Sequence, residues 1–186
     1  PLETPQIVPT LGGDKRVLVS TDDGAEHSVR LVSWVGGEPL GETEATPSLA
    51  RALGESLAHL GRALADFRHP CSHQSLLWEL QQALDLRNLL HHIPDEAVRA
   101  EVARGLDDFE SRALPVLPTL RRQVIHSDFN PDNVMVDAAT RDSVTGVIDF
   151  GDMLESPLIA DVAIGASYLR PREGNPLALI VEFVRA

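Results

Sequence analysis

The stretch VIHSDFNPDNVMVD, residues 124–137, is where the fold can be read. Two apolar runs bracket it. Gln123 to His126 and Asn133 to Asp137 both read as short strands. Between them lies the densest polar cluster of the chain, His126-Ser127-Asp128-Phe129-Asn130-Pro131-Asp132-Asn133. A loop this polar, held between buried strands, is suited to positioning side chains. A third apolar run, Ser143 to Phe150, follows a turn around Arg141-Asp142 and ends in Asp149-Phe150-Gly151-Asp152. Packing alone gives no reason for a carboxylate at the mouth of a buried strand.

Phosphoryl transfer gives these residues work. The reaction needs a hydroxyl in line with a γ-phosphate and positive charge on the triphosphate, with little covalent chemistry from the protein. Mg²⁺ takes a few oxygen ligands plus waters and phosphates. Asn133 and Asp149 can supply such oxygens, and Asp128 can orient the hydroxyl or accept its proton. Four residues separate Asp128 from Asn133, so one loop can aim both.

Further upstream, Thr46 and Pro47 suit the cap and first position of a helix. Leu49, Leu53, Leu57, Leu60, Leu64 and Phe67 follow at steps of four and three, which makes one apolar stripe. A second helix is expected from Gln74 to Leu89. A third is expected from Pro94, with Asp95 and Glu96 at its positive end and Val98, Val102, Leu106 and Phe109 along one side. Before these helices, Arg16 to Ser20 and Ser28 to Trp34 flank Asp22-Asp23-Gly24 and read as a hairpin. Downstream, helical patterning returns at Ile159 to Leu169 and again from Leu177 to Ala186. Hairpin, helices, short strands, helix is an α+β order, mostly helical, without alternating βαβ units.

His126-x-Asp128-x-x-x-x-Asn133 matches the kinase catalytic-loop pattern, and Asp149-Phe150-Gly151 matches the kinase metal-binding motif. The wording VIHSDFNPDNVMVD, then GVIDFGDMLESPLIADVA with its Asp161-Val162-Ala163, resembles the aminoglycoside phosphotransferase and choline kinase-like family of small-molecule kinases. Val29 to Gly37 (VRLVSWVGG) and Phe67 to Pro70 (FRHP) are most similar to hydroxylysine kinases and to kinase portions fused to class III aminotransferases. The resemblance runs from about residue 5 to 180.

It implies a protein-kinase-like fold, mostly the helical C-terminal lobe. Residues 1–36 would be a hairpin and hinge remaining from the N-terminal lobe. Residues 37–186 would be the catalytic lobe, cut short at its C-terminal end. It implies ATP and Mg²⁺ as cofactors, Asp128 as catalytic base, and Asn133 and Asp149 as metal ligands. His126 and Asp161 would support the loop, and Ser33, Trp34 and Val35 would meet adenine. The implied acceptor is a hydroxyl on a small amine-bearing molecule, a hydroxylysine-like amino alcohol ahead of an aminoglycoside. A neighbouring PLP-dependent aminotransferase-type domain is a further implied partner.

The departures from the pattern are specific. The chain has a single lysine, Lys15, in the turn before the first strand. Gly12-Gly13 precedes it, which is not the order of a phosphate loop followed by a lysine-bearing strand. The first three strands of the small lobe and their helix would be absent, so the chain by itself is expected to be inactive. Ser127 stands where the family usually has Gly, Asn or Arg. A catalytically silent nucleotide-binding or regulatory module is therefore the rival reading. A metal-dependent phosphate-ester hydrolase using Asp128 and Asp149 is a weaker one, because such sites gather more ligands.

Composition narrows the partners. With 28 acidic against 16 basic residues, the formal net charge is -12. Nucleic acid and anionic membrane surfaces call for a basic face, so neither is an expected partner. One cysteine, Cys71, precludes an internal disulfide and suits a cytoplasmic location. His69, Cys71 and His73 alternate without a second ligand pair and do not make a zinc site. For His126 an ordinary core histidine is the plainer reading, and for Asp161 a helix cap. Asp152 reads as a solvated turn residue, and Trp34 and Trp78 as packing residues. Glu79, Asp85, Asp107 and Asp108 lie where helices would wall the acceptor site.

Overall fold

The computed structural model describes residues 2–41, 44–169 and 174–186. Its core forms where the leucine stripe meets the short strands. Helix α1 (Pro47–Leu64) starts as expected: Thr46 Oγ1 accepts the Leu49 N–H at 3.2 Å, and Pro47 occupies the first turn. It buries Leu49, Leu53, Leu57 and Leu60 against Phe129, Val134, Val136, Val147 and Phe183. Phe67 falls beyond the helix end and stays exposed.

Strands β1 (Ile7–Val8), β2 (Val17–Ser20), β3 (Glu26–Val29) and β4 (Leu31–Val32) make two antiparallel ladders, β1 with β4 and β2 with β3. The β2–β3 hairpin turns through Thr21 and Gly24; the single strand expected over Ser28 to Trp34 is instead divided, Glu26–Val29 pairing with β2 and Leu31–Val32 with β1. β5 (Glu38–Pro39) then joins β7 (Val134–Val136) and β8 (Val144–Val147) in a three-stranded sheet of order β5-β7-β8. β6 (Arg122–Ile125) pairs with β9 (Leu154–Pro157). α2 (Glu96–Asp108) lies between β5 and β6 in sequence, and α3 (Ile159–Ser167) and α4 (Ala178–Arg185) follow β9.

The helix expected over 74–89 is not an α-helix. Residues Pro70–His73 and Leu80–His92 form 3₁₀ turns, and none of the residues in the second is fully buried. Its leucines lack a core to enter. The segment before it is tied by polar contacts to the loop preceding β9, and Glu79 is extended. α2 is capped by Asp95, whose Oδ1 accepts the Ala97 and Val98 N–H groups at 2.8 and 3.0 Å. Of its expected stripe only Leu106 is buried, and the helix lies against the 80–92 turns.

Two glycines permit close approaches. A Cβ on Gly54 would sit 2.1 Å from the Phe183 carbonyl oxygen, so this residue sets how near α1 and α4 come. A Cβ on Gly146 would sit 2.3 Å from Val35 Cγ1 and 2.8 Å from the Glu3 carbonyl oxygen. Glu3 forms a parallel bridge with Gly146: its N–H donates to Thr145 O and its carbonyl accepts from Val147 N, both at 3.0 Å. No helix among the described residues is long and apolar enough to cross a membrane.

Candidate active site

Ile125 pairs with Leu154 at one end of β6–β9, and Val134 pairs with Val147 at one end of β7–β8. Residues 126–133 join β6 to β7, and 148–153 join β8 to β9. Both loops therefore emerge at one edge, and with them Asp128, Asn133, Asp149 and Asp152. Sequence order alone does not reveal this edge; the antiparallel pairing of strands about 30 residues apart creates it.

The first loop is held from behind by one carboxylate. Asp161, in the first turn of α3, accepts the His126 N–H at 3.0 Å through Oδ2 and the Ser127 N–H at 2.7 Å through Oδ1. It is almost wholly buried, and burial pushes its carboxyl above the ordinary value. The two N–H bonds and the nearby His126 act against that rise. Ser127 sits in the left-handed region at φ 67°, which bends the loop outward immediately after the two tethered amides. The imidazole of His126 is fully buried and has a partner at each nitrogen. Nε2 meets the Ile148 carbonyl at 3.0 Å, and Nδ1 accepts the Asp128 N–H at 3.3 Å. A carbonyl can only accept, so the proton lies on Nε2. The ring also meets Phe150 edge-on, centroids 5.0 Å apart, which ties the first loop to the second.

Asp128 and Asn133 are in direct contact. Asn133 Nδ2 donates to Asp128 Oδ2 at 2.7 Å and to the Asp128 carbonyl at 2.9 Å. Asn130 Nδ2 donates to Asp128 Oδ1 at 2.8 Å, while its Oδ1 accepts the N–H groups of Asp132 and Asn133. Asn130 thus shapes the whole turn. The sequence reading did not single it out, although Asn-Pro-Asp is a turn signal of the Asx type.

Asp149 stands at the end of β8, beside Asn133, whose carbonyl accepts the Ile148 N–H at 2.9 Å. It is exposed, at φ 58°, and its Oδ1 accepts the Gly151 N–H at 3.1 Å. No hydrogen bond joins it to Asp128 or Asn133 among the described residues. The donor chemistry fits a hard divalent cation. Both N–H groups of the Asn133 side chain that would compete with a cation are directed to Asp128, which leaves its amide oxygen without a partner, and Asp149 Oδ2 is likewise unengaged. Among the described residues no three His, Cys, Asp or Glu side chains gather into a metal-binding group, so phosphate and water would complete such a site. Asp149 and Phe150 also line a groove of about 660 Å³ together with Ile7, Arg30 and Val32.

The remaining candidates lie apart from this edge. Ser33 is engaged by Gln6, donating its N–H to Gln6 O at 2.8 Å and accepting the Gln6 N–H on Oγ at 2.9 Å. Trp34 projects into solvent at 87% exposure, and Val35 is buried against Gly146. His69 Nδ1 accepts the Cys71 N–H and caps the turn there. Asp107 pairs with Arg87 at 2.8 Å, and Asp108 with Arg112 at 3.5 Å. Glu79 is buried and accepts the Ser156 hydroxyl at 3.1 Å.

Paired short ladders, a loop carrying Asp and Asn between them, an Asp-Phe-Gly turn beside it and a helical flank together define a protein-kinase-like fold. Solved structures agree. The chain superposes on the microcompartment-associated aminopropanol kinase with a TM-score of 0.61 and 22% identity, covering 98% of this chain and 64% of that one. It superposes on the amicoumacin kinase hAmiN, determined with AMP-PNP and Ca²⁺, with a TM-score of 0.65 and 14% identity, covering 99% and 55%. The chain belongs to the Phosphotransferase enzyme family, which matches residues 12–183. It is 27% identical over 183 residues to hydroxylysine kinase of Xenopus laevis, covering 90% of this chain and 49% of the relative. It thus spans about half the length of the curated relatives it matches.

Proposed function

We propose that these residues form the catalytic part of an ATP-dependent phosphotransferase that phosphorylates a hydroxyl on a small, amine-bearing molecule, with hydroxylysine-like amino alcohols ahead of aminoglycosides. The observation that carries this reading is the Asp128–Asn133 contact, supported from behind by Asp161 and His126 and emerging beside Asp149. In this reading Asp128 orients the acceptor hydroxyl and takes its proton. Asn133 Oδ1 and the Asp149 carboxylate would hold Mg²⁺, which when bound supplies positive charge to the triphosphate. Asn130 and Asn133 donate to both Asp128 oxygens, so the carboxylate is held and aimed. Relatives named as hydroxylysine kinases and a structural neighbour named as an aminopropanol kinase support the choice of acceptor class.

The test is a coupled ATP-consumption assay over a panel of amino alcohols with the full-length gene product. Asp128→Ala is expected to lower kcat by about 10²–10⁴-fold, the usual worth of a positioned general base. Unchanged turnover removes Asp128 from the mechanism. A silent nucleotide-binding module is the second reading, favoured by the lone lysine, Lys15, and by the Ser33 N–H being engaged by Gln6. Under both readings residues 1–186 alone bind Mg²⁺-ATP more weakly than micromolar, which calorimetry checks. Turnover by the full-length protein separates them.

A further inference from the structure

One pair of side chains at the active edge takes no part in the scheme above. Trp78 is 63% exposed, yet its indole is anchored: Nε1–H donates to Asp152 Oδ2 at 3.0 Å. Two more bonds seat the same segment. Gln74 Nε2 donates to the Met153 carbonyl at 3.1 Å, and the Ser156 hydroxyl donates to buried Glu79 at 3.1 Å. The ring is therefore positioned by polar contacts, with much of its surface left open. Asp152 faces a neutral donor. Its Oδ1 has no partner, and its carboxylate pairs with no cation among the described residues.

An open indole face beside an unpaired carboxylate is a receptor for an organic cation. The ring quadrupole attracts positive charge, and the carboxylate supplies the opposite one. An anion is disfavoured by the same combination. The excess of 28 acidic over 16 basic residues adds long-range attraction of the same sign. Asp152 follows Asp149 by three residues and leaves the edge from which Asp128 emerges. A cation held there sits at the edge from which both loops emerge.

We infer that Trp78 and Asp152 form the subsite that receives the ammonium group of the phosphate acceptor. The identity of that ligand as an acceptor rests on the phosphotransferase reading; the cation site itself rests on the geometry of the pair. From sequence Trp78 reads as a packing residue and Asp152 as a solvated turn residue; a contact across 74 residues links them.

The test reads binding without turnover. In ¹⁵N-labelled full-length protein, the indole N–H signal that Trp78→Phe removes is assigned to Trp78. The probes are 1-amino-2-propanol and 1,2-propanediol, which differ in the ammonium group. The amine is expected to shift the signal saturably, more weakly as salt is raised, and the diol is not. Asp152→Asn keeps an oxygen for the indole N–H and removes the charge; it is expected to weaken amine binding about tenfold. Trp78→Phe, followed through the backbone signals of residues 78 and 152, should stay within about threefold, whereas Trp78→Leu should lose about tenfold. Equal shifts from amine and diol, or undiminished amine binding by Asp152→Asn and Trp78→Leu, overturn the subsite. An active enzyme whose Trp78 signal ignores the amine sinks the subsite alone. An inactive protein whose signal responds sinks the phosphotransferase reading alone.

Discussion

Strands β6 and β9 bury Val124, Ile125, Leu154 and Ser156, whereas β2 and β3, a ladder of the same length, leave all eight of their residues exposed. Both ladders are antiparallel and fully registered. The difference lies in what their side chains meet. β6 lies against α1 and β9 against the 70–73 turn, and the ladder's ends feed loops whose polar groups are satisfied by buried partners. β2–β3 exposes Val17, Leu18, Val19 and Val29. A hairpin without a covered face is marginal in water. Backbone pairing therefore makes a ladder in both places, and burial makes a platform for chemistry in one.

The sharpest way to break this contrast is Asp161→Ala. It leaves two buried N–H groups, of His126 and Ser127, without an acceptor, at about 1–3 kcal/mol each. A loss of about 2–6 kcal/mol in urea denaturation is expected. A loss below about 1 kcal/mol would mean that the platform is held otherwise. Gly54→Ala comes next. The new Cβ cannot fit at 2.1 Å from the Phe183 carbonyl, so α1 and α4 must separate, at about 1–3 kcal/mol. Leu18→Ala, at a 61% exposed hairpin position, should stay within about 0.5 kcal/mol in the same measurement. A larger effect there would show that the hairpin face is covered in solution.

The smallest effects are in pH dependence, and two aspartates give them opposite sign. Burial raises the Asp161 carboxyl, so the folded protein keeps that proton to higher pH than the unfolded chain. Its contribution is full below the ordinary carboxylate range and declines as pH rises through the raised value. Asp137 accepts the Thr140 N–H, the Thr140 hydroxyl and the Ala139 N–H, which lower its pKa. Its contribution is present above the ordinary range and disappears as pH falls through the lowered value. Urea midpoints of the protein against Asp161→Asn and Asp137→Asn, taken across acid to neutral pH, should diverge in these two directions. Matching slopes would contradict one of the two assignments.

Local signals made much of the fold around residues 124–137 legible. The leucine spacing of α1, its Thr46-Pro47 start, the Asp95 cap and the three apolar strand runs all depend on near neighbours. The Asp128–Asn133 spacing carried the loop because both residues lie in one turn. What escaped depended on distant partners. The 3₁₀ turns over 80–92 have helix-like leucines, but tethering of the preceding segment to Asp152 and Met153 decides their path. The β6–β9 pairing, the Glu3 bridge to Gly146 and the engagement of Ser33 by Gln6 span 27 residues or more, and no periodicity encodes them. Asn130 is legible from turn chemistry alone, since its side chain bonds only residues within three positions.

The tether from Asp161 to the His126 and Ser127 amides spans 35 and 34 residues. It also sets an order of events on the ribosome. When residues 126–133 leave the exit tunnel, the carboxylate that will hold them is still inside it, and at about 5–20 residues per second it emerges seconds later. Until then the loop has its own Asx turn but no anchor. The active edge is completed by the third helix rather than by its own strands, and a nascent chain stalled before residue 161 would lack it.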